Sequence, residues 1–527
     1  MIEQKDWIQY FPHETPRDIQ VTSINFILEQ FKSGKRFVIC EAPVGTGKSA
    51  IAITVSRFFE AEVVDEKNAS WILTTQKILQ KQYQSEFGWL PTVWSKSNYE
   101  CKKHYGVSCQ LGLWINNIFK GKYCDCIYTA DKKRFLESQI SLTNVQFFLN
   151  HFEYQRDAIK QRKLLIVDEA HNLENIITDF VSITINKYII ADYGINWIGT
   201  HKSIVQVMEW VKKTLVPKLI SIKARLEYEI KSSDRNVLLS SPEGKLLMKQ
   251  FDSIDRYICQ LNRCVERFNP NEWVMSINKD EDELILRPLF ASRFSDKQLF
   301  VTADKILLMS GTILDKDTYC RNVGISMKDT AFISLPSPFD KENRPIFIVK
   351  AASLSYKNID ASLPKIATVV KKIMIDHKGD KGIVHCHSYK IANYLQKHIK
   401  TNRFLLHDSS NRIEVYNFHL NSTTPTILLS PSFTEGIDLV DELSRFQIIV
   451  KVPYPYLGDE FIKEKMRRVS GWYEWETAKT IIQASGRSVR NDEDHCMTYI
   501  LDSDFARFYN QNSHLFPKWY SDAVIII

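Results

Sequence analysis

Short apolar runs separated by longer amphipathic stretches recur along most of the chain. Arg36-Phe37-Val38-Ile39-Cys40, Ala69-Ser70-Trp71-Ile72-Leu73, Lys163-Leu164-Leu165-Ile166-Val167 and Lys305-Ile306-Leu307-Leu308-Met309 have the length of buried strands. Between them the pattern predicts helices from Val21 to Lys32, from Ala50 onward and from Ile78 to Gln84. A Pro-bearing stretch, Leu335 to Pro345, marks a boundary. The same rhythm then returns, with strands at Gly382–Cys386, Thr426–Ser430 and Phe446–Val450 and a helix at Tyr389–Lys400. Alternating strands and helices point to an α/β protein whose strand ends form a ligand-facing rim. Residues 175–285 read instead as mainly helical, an inserted helical domain, and strand character restarts at Leu284.

Size and charge narrow the picture only a little. A chain of 527 residues is too long for one hydrophobic core, so two large domains with insertions are expected. Lys and Arg number 69 against 62 Asp and Glu, a net charge of +7 that permits a nucleic-acid partner without requiring one. No apolar run has membrane-spanning length, and Met1 to Asp6 lack a secretory layout. The expectation is a cytoplasmic protein with no membrane partner.

Chemistry concentrates at the strand ends. Glu41 to Ser49, EAPVGTGKS, joins a strand to a helix through a Gly-rich turn, the layout of a phosphate cradle. Gly45 and Gly47 let backbone N–H groups face phosphates, Lys48 reaches the β- and γ-phosphates, and Ser49 can ligate Mg²⁺. Ala42 stands where the pattern usually has its first glycine. The strand at Lys163 ends in Asp168-Glu169-Ala170-His171. Asp168 can hold Mg²⁺, Glu169 can orient the attacking water, and His171 can connect hydrolysis to another site. Ser310 and Thr312 end a further strand with hydroxyls able to sense phosphate. Gln20, upstream of the cradle, can read an adenine edge or simply occupy the surface. Gln483 to Arg490, QASGRSVR, is expected on a helix, with Arg487 and Arg490 on one face. Two guanidinium groups there suit a γ-phosphate held by the first half of the chain.

Of ten cysteines, Cys101, Cys109, Cys124 and Cys126 cluster. Four thiolates satisfy either an iron–sulfur cubane or a tetrahedral zinc. The Cys124-Asp125-Cys126 spacing is awkward for zinc, and a disulfide framework is disfavoured in a reducing cytoplasm.

These stretches, in this order, resemble the superfamily 2 helicases, and among them the iron–sulfur XPD/DinG-like group. The carrying residues are Arg17 to Gln20, Ala42 to Ser49, Thr74 to Gln76, Asp168 to His171, Ser310 to Thr312, Gly436 to Asp438 and Gln483 to Arg490. The resemblance implies two RecA-like parallel-sheet motor domains, with an iron–sulfur insertion and a helical arch-like insertion in the first. The corresponding boundaries are 1–95, 141–178 and 284–334 for motor 1, 96–140 for the cysteine insertion, 179–283 for the arch-like insertion and 335–527 for motor 2. It implies ATP and Mg²⁺ in the cleft, with Gln20, Ala42, Gly45, Thr46, Gly47, Lys48, Ser49, Asp438 and Gln483 as nucleotide-binding positions. Lys48, Asp168, Glu169, Arg487 and Arg490 would carry catalysis. A [4Fe–4S] cluster would sit on Cys101, Cys109, Cys124 and Cys126. Thr74 and Thr75 would face a DNA backbone, and translocation would run 5′ to 3′ on single-stranded DNA, unwinding forked duplexes. Rival expectations are an RNA or RNA–DNA hybrid helicase, and a DNA-dependent ATPase that serves as an assembly scaffold without unwinding.

Overall fold

The computed structural model describes residues 3–62, 69–104, 106–118, 125–278, 281–408, 411–431, 439, 441–486, 489 and 494–527. The first sheet contains β1 (Phe37–Glu41), β2 (Ser70–Thr74), β3 (Ile140–Asn144), β4 (Arg162–Asp168), β8 (Ala303–Ser310) and β9 (Thr330–Ser334). Its order is β3-β2-β4-β8-β1-β9, parallel throughout. Successive side chains feed opposite cores. Phe37, Ile39, Trp71, Leu73, Leu165 and Val167 enter one apolar cluster, and Val38, Cys40, Ile72, Leu164 and Ile166 enter the other. A sheet buried on both faces needs apolar residues at every position, which is why these strands read as unbroken apolar runs.

Two excursions leave this sheet between its strands. The first folds Glu100 and Ser108 into an antiparallel bridge and continues as the helices Cys109–Ile118 and Ile127–Glu137. The second is mainly helical, as expected, and adds a small sheet. It contains β5 (Ile183–Asn186) and β6 (Trp273–Asn278), which pair antiparallel with β7 (Glu283–Pro288) in the order β5-β7-β6. These strands alternate buried and less buried positions over only a few residues, too short a signal to stand out beside the long helices Val216–Ser232 and Pro242–Arg267. The excursions touch each other at Asp252, a buried carboxylate that accepts from Trp114 Nε1 at 2.8 Å and Gln110 Nε2 at 2.7 Å.

The second large sheet contains β10 (Ile346–Ala352), β11 (Gly382–His385), β12 (Phe404–Leu406), β13 (Ile427–Ser430), β14 (Phe446–Ile449), β15 (Met497–Asp502) and β16 (Val524–Ile526). It runs β12-β13-β11-β14-β15-β10-β16, again all parallel. The helix Glu460–Arg468 docks this half onto the small sheet. Arg287 pairs with Asp459 at 2.5 Å, and buried Lys465 pairs with Glu174 while donating to Leu289 O at 2.9 Å. Among the described residues no helix is long and apolar enough to cross a membrane.

Candidate nucleotide and motor site

The phosphate loop follows β1 and ends where the helix Lys48–Ala61 begins. Gly45 and Gly47 take φ values of 82° and 75°, a left-handed backbone that glycine adopts without a Cβ penalty. Thr46 is buried, and its hydroxyl donates to Pro43 O at 2.8 Å, so it folds the loop. Gln20 is also buried. Its Oε1 accepts from Arg17 N at 2.9 Å, and its amide lies where a Cβ on Gly47 would stand. Arg17 Nη1 donates to Gly45 O at 2.6 Å. The two residues therefore support the loop from behind.

Lys48, Asp168 and Glu169 come together as the residue pattern anticipates. Lys48 Nζ lies 3.3 Å from Ala42 O and 3.5 Å from Glu169 Oε1. Asp168 is held at both oxygens, by Tyr83 OH at 3.0 Å and by the Glu169 amide at 2.9 Å. Glu169 has a φ of 54°, strain of the kind that collects at functional sites. Burial and the adjacent Glu169 carboxylate push Asp168 up to about 6. Burial also raises Glu169, but the Lys48 ammonium and His171 outweigh it and hold that carboxyl well below its usual range. A buried carboxylate that is costly to ionise is stabilised by a cation, so the hard oxygen donors Asp168 and Ser49 fit Mg²⁺. Ser49 Oγ donates to Glu86 Oε2 at 3.0 Å, and Glu86 pairs with His13 at 3.3 Å.

From Glu169 a continuous set of polar contacts leads to the second half of the chain. Glu169 Oε2 is 3.2 Å from His171 Nδ1, which is 2.8 Å from Ser310 Oγ. The Thr312 amide donates to that hydroxyl at 3.1 Å, and Gln483 Nε2 donates to Thr312 Oγ1 at 3.0 Å. Beside this path, Trp475 Nε1 donates to Ile313 O at 2.9 Å. Glu41 holds the same turn from below, accepting from the Ile313 and Leu314 amides at 2.8 and 2.6 Å and from Ser334 Oγ at 2.6 Å. Burial raises its pKa despite those bonds. A cleft between the halves is lined by Val44, Gln76, Glu169, Thr312, Arg344 and Gln483 among others.

Residue reading did not find the parts played by Tyr83, Glu41 and Trp475. The Glu41 signal was present, a lone carboxylate closing an apolar run. Tyr83 and Trp475 act across long sequence separations that no local pattern reveals. Thr74 is buried, and its hydroxyl donates to Gln76 O at 3.1 Å. The helix carrying Gln483 spans Trp472–Ser485. Gly486 ends it, because glycine weakly supports a helix and suits its C-terminus. Arg487 and Arg490 themselves, like Asp438, lie outside the described residues.

In the cysteine excursion Cys101, Cys109 and Cys126 are all buried. Cys109 Sγ and Cys126 Sγ are 3.6 Å apart, and a Cβ on Gly112 would collide with Cys101 Sγ. Cys124 lies outside the described residues. Among the described residues no three His, Cys, Asp or Glu side chains assemble as metal ligands. Two inward-facing thiols in contact are nonetheless compatible with a soft metal or iron–sulfur group.

Two family models match this chain: a helicase C-terminal domain over residues 372–523, and the res subunit of type III restriction enzymes over residues 13–197. The ATP-dependent DNA helicase DinG of Photobacterium profundum is 28% identical over 256 residues, covering 44% of this chain and 36% of that protein. The chain thus matches about a third of the length of that relative. A probable ATP-dependent helicase of Methanocaldococcus jannaschii is 22% identical over 632 residues, covering 96% and 94% of the two chains. The fold matches a solved XPD helicase with a TM-score of 0.63 at 16% identity, covering 98% of this chain and 100% of that one. The two large sheets are thereby two RecA-like domains. In its phosphate loop, its Asp-Glu-Ala-His turn and its paired parallel sheets, the chain is similar to the superfamily 2 helicases of the XPD/DinG-like group.

Proposed function

We propose that this protein is an ATP-dependent DNA helicase that moves 5′ to 3′ along single-stranded DNA and unwinds forked duplexes in the cytoplasm. Motor 1 takes residues 1–95, 141–178 and 284–334, and motor 2 takes 335–527. One observation carries the reading: the unbroken contact path Lys48–Glu169–His171–Ser310–Thr312–Gln483, which ties a phosphate cradle to the opposite motor. Lys48 and the Gly45–Gly47 amides bind the phosphates of ATP. Ser49 and Asp168 would hold Mg²⁺, which supplies neutralisation of phosphate charge when bound. Glu169 orients the attacking water and accepts its proton. Arg487 and Arg490 approach the γ-phosphate as the motors close, and Gln483 reports that closure to Thr312. Ala42, Thr46 and Gln20 shape and support the loop, and Asp438 completes the cleft from motor 2. Opening and closing of the cleft then ratchets one strand past the motors.

Cys101, Cys109, Cys124 and Cys126 would hold a [4Fe–4S] cluster. It would supply a covalent tie for an excursion whose own apolar core is thin. Contact between Cys109 and Cys126 supports that assignment.

Unwinding assays with 5′- and 3′-overhang DNA, RNA and hybrid duplexes test the reading. Strand release only from 5′-overhang DNA is expected. Release from RNA alone moves the substrate assignment, and ATP turnover on DNA with no release from any duplex makes the protein a scaffold ATPase. Anaerobic preparations should be brown and contain iron and sulfide, and Cys109→Ser should lose both. A colourless wild-type protein carrying zinc overturns the cluster.

A further inference from the structure

Lys465 and Glu174 form an ion pair across 291 residues of sequence, with side chains only 3% and 6% exposed. The ammonium also donates to Leu289 O at 2.9 Å, and it lies 5.8 Å and 5.5 Å from the ring centroids of Phe461 and Trp472. Both charges give up their hydration on burial, so a well-packed apolar pair would hold the same contact at no greater cost in stability. What the ion pair adds is direction, because donor and acceptor have to meet at fixed atoms.

Each partner leads to a different part of the motor. Glu174 stands in the first turn of the helix Leu173–Val181, which follows Asp168-Glu169 after the short turn Ala170–Asn172. Tyr319 OH holds that turn, donating to Ala170 O at 2.8 Å. Lys465 belongs to the helix Glu460–Arg468, and Trp472 opens the helix Trp472–Ser485 directly after Gly471, whose φ is 77°. The second helix is held at three points along its length. The Lys465 ammonium faces the Trp472 ring at its start, Trp475 Nε1 donates to Ile313 O at 2.9 Å one turn on, and Gln483 Nε2 donates to Thr312 Oγ1 at 3.0 Å near its end. Its 14 residues make a rod about 20 Å long, so a tilt of about 3° at the start moves the far end by about 1 Å. A displacement of about 1 Å from a working geometry can cost about a hundredfold in rate.

We propose that Lys465, through its pair with Glu174, is a positioning residue that sets the tilt of the helix Trp472–Ser485 against the turn that follows Asp168-Glu169, and with it the Gln483–Thr312 contact. The inference rests on the motor reading above and adds to it a pair of residues that does not line the nucleotide cleft. A pair that served stability alone could be exchanged for apolar side chains without changing turnover.

The test uses the full chain with single-stranded DNA and measures kcat and KM for ATP hydrolysis, with thermal unfolding to establish that each variant is folded at the assay temperature. Glu174→Leu combined with Lys465→Met leaves no charge buried alone. It should lower kcat about fivefold, with KM within about twofold of wild type. On a Gln483→Ala background the same exchange should change kcat by less than about twofold, because the contact it acts through is already gone. An unchanged kcat, a pure rise in KM or a full further loss on Gln483→Ala overturns the proposal. If the paired variant does not fold, Lys465→Arg, which keeps the charge and moves its donors, is read by the same criteria: a fall in kcat at constant KM that vanishes on Gln483→Ala supports the proposal, and anything else overturns it. A wild-type protein that hydrolyses no ATP overturns the motor reading itself. A wild type that turns over beside an indifferent paired variant overturns only this step.

Discussion

The two RecA-like sheets are both parallel throughout and opposite in how they meet the cleft. The first presents the carboxyl ends of its strands: Val44 follows β1, Gln76 follows β2, Glu169 follows β4 and Thr312 follows β8. The second presents amino ends, with Arg344 and Ile346 at the start of β10, Val489 ahead of β15 and Trp519 ahead of β16. At the carboxyl ends of a parallel sheet the next helix begins, and the N-terminus of the helix Lys48–Ala61 offers free N–H groups and positive dipole to phosphate. The second domain meets the cleft with the C-terminal end of the helix Trp472–Ser485, which has free carbonyls and negative dipole. Backbone alone can therefore bind phosphate on one side, and the other side needs side-chain cations. That asymmetry is a physical reason for Arg487 and Arg490 to follow that helix.

The comparison can be broken most sharply at the side-chain cations. Arg487→Ala should lower DNA-stimulated ATP turnover about 10³-fold while analogue binding changes little. Equal losses of binding and turnover would mean that the second domain grips the ground state as well. Lys48→Ala removes the ammonium of the backbone-rich side and should cost about 10²-fold or more in turnover, with DNA affinity retained in a filter-binding assay. Gln483→Ala cuts the Thr312 contact without touching a charge, so a several-fold fall in DNA stimulation, with basal hydrolysis near wild type, is expected.

The smallest effect is on stability, and it has opposite signs in the two domains. In the second domain His419 Nε2 donates to Leu443 O at 2.9 Å, and its Nδ1 lies 2.8 Å from Thr426 Oγ1. Burial lowers its pKa from 6.5 to about 4. The unfolded chain then binds the extra proton, so this contribution is present above about pH 6.5 and is lost as pH falls toward 4. In the first domain Asp168 is raised from 3.8 to about 6, so its term is present at low pH and disappears as pH rises through that window. Melting curves from pH 7 to pH 5 should therefore show acid destabilisation that His419→Gln flattens. A slope unchanged by that substitution would remove His419 from the account.

The amino-acid sequence by itself determined the strand–helix rhythm, the phosphate loop and the acidic strand end, because each is a local signal. A buried parallel strand must be apolar throughout, a phosphate turn must carry glycine at a positive φ, and Asp168-Glu169 follow directly on such a strand. Local pattern also placed Gln20 upstream of the loop, but its position behind Gly47 depends on how the helix Asp18–Lys32 packs. Only the tertiary structure decided the remainder. Tyr83 reaches Asp168 across 85 residues, Glu41 reaches Ile313 across 272, and Trp475 reaches Ile313 from the other motor. The edge strand β5 was hidden for the same reason, since it is short and its partner β7 lies far along the chain. Hydrogen bonds and ring contacts between distant residues leave no period in the chain, and they exist only once it has folded.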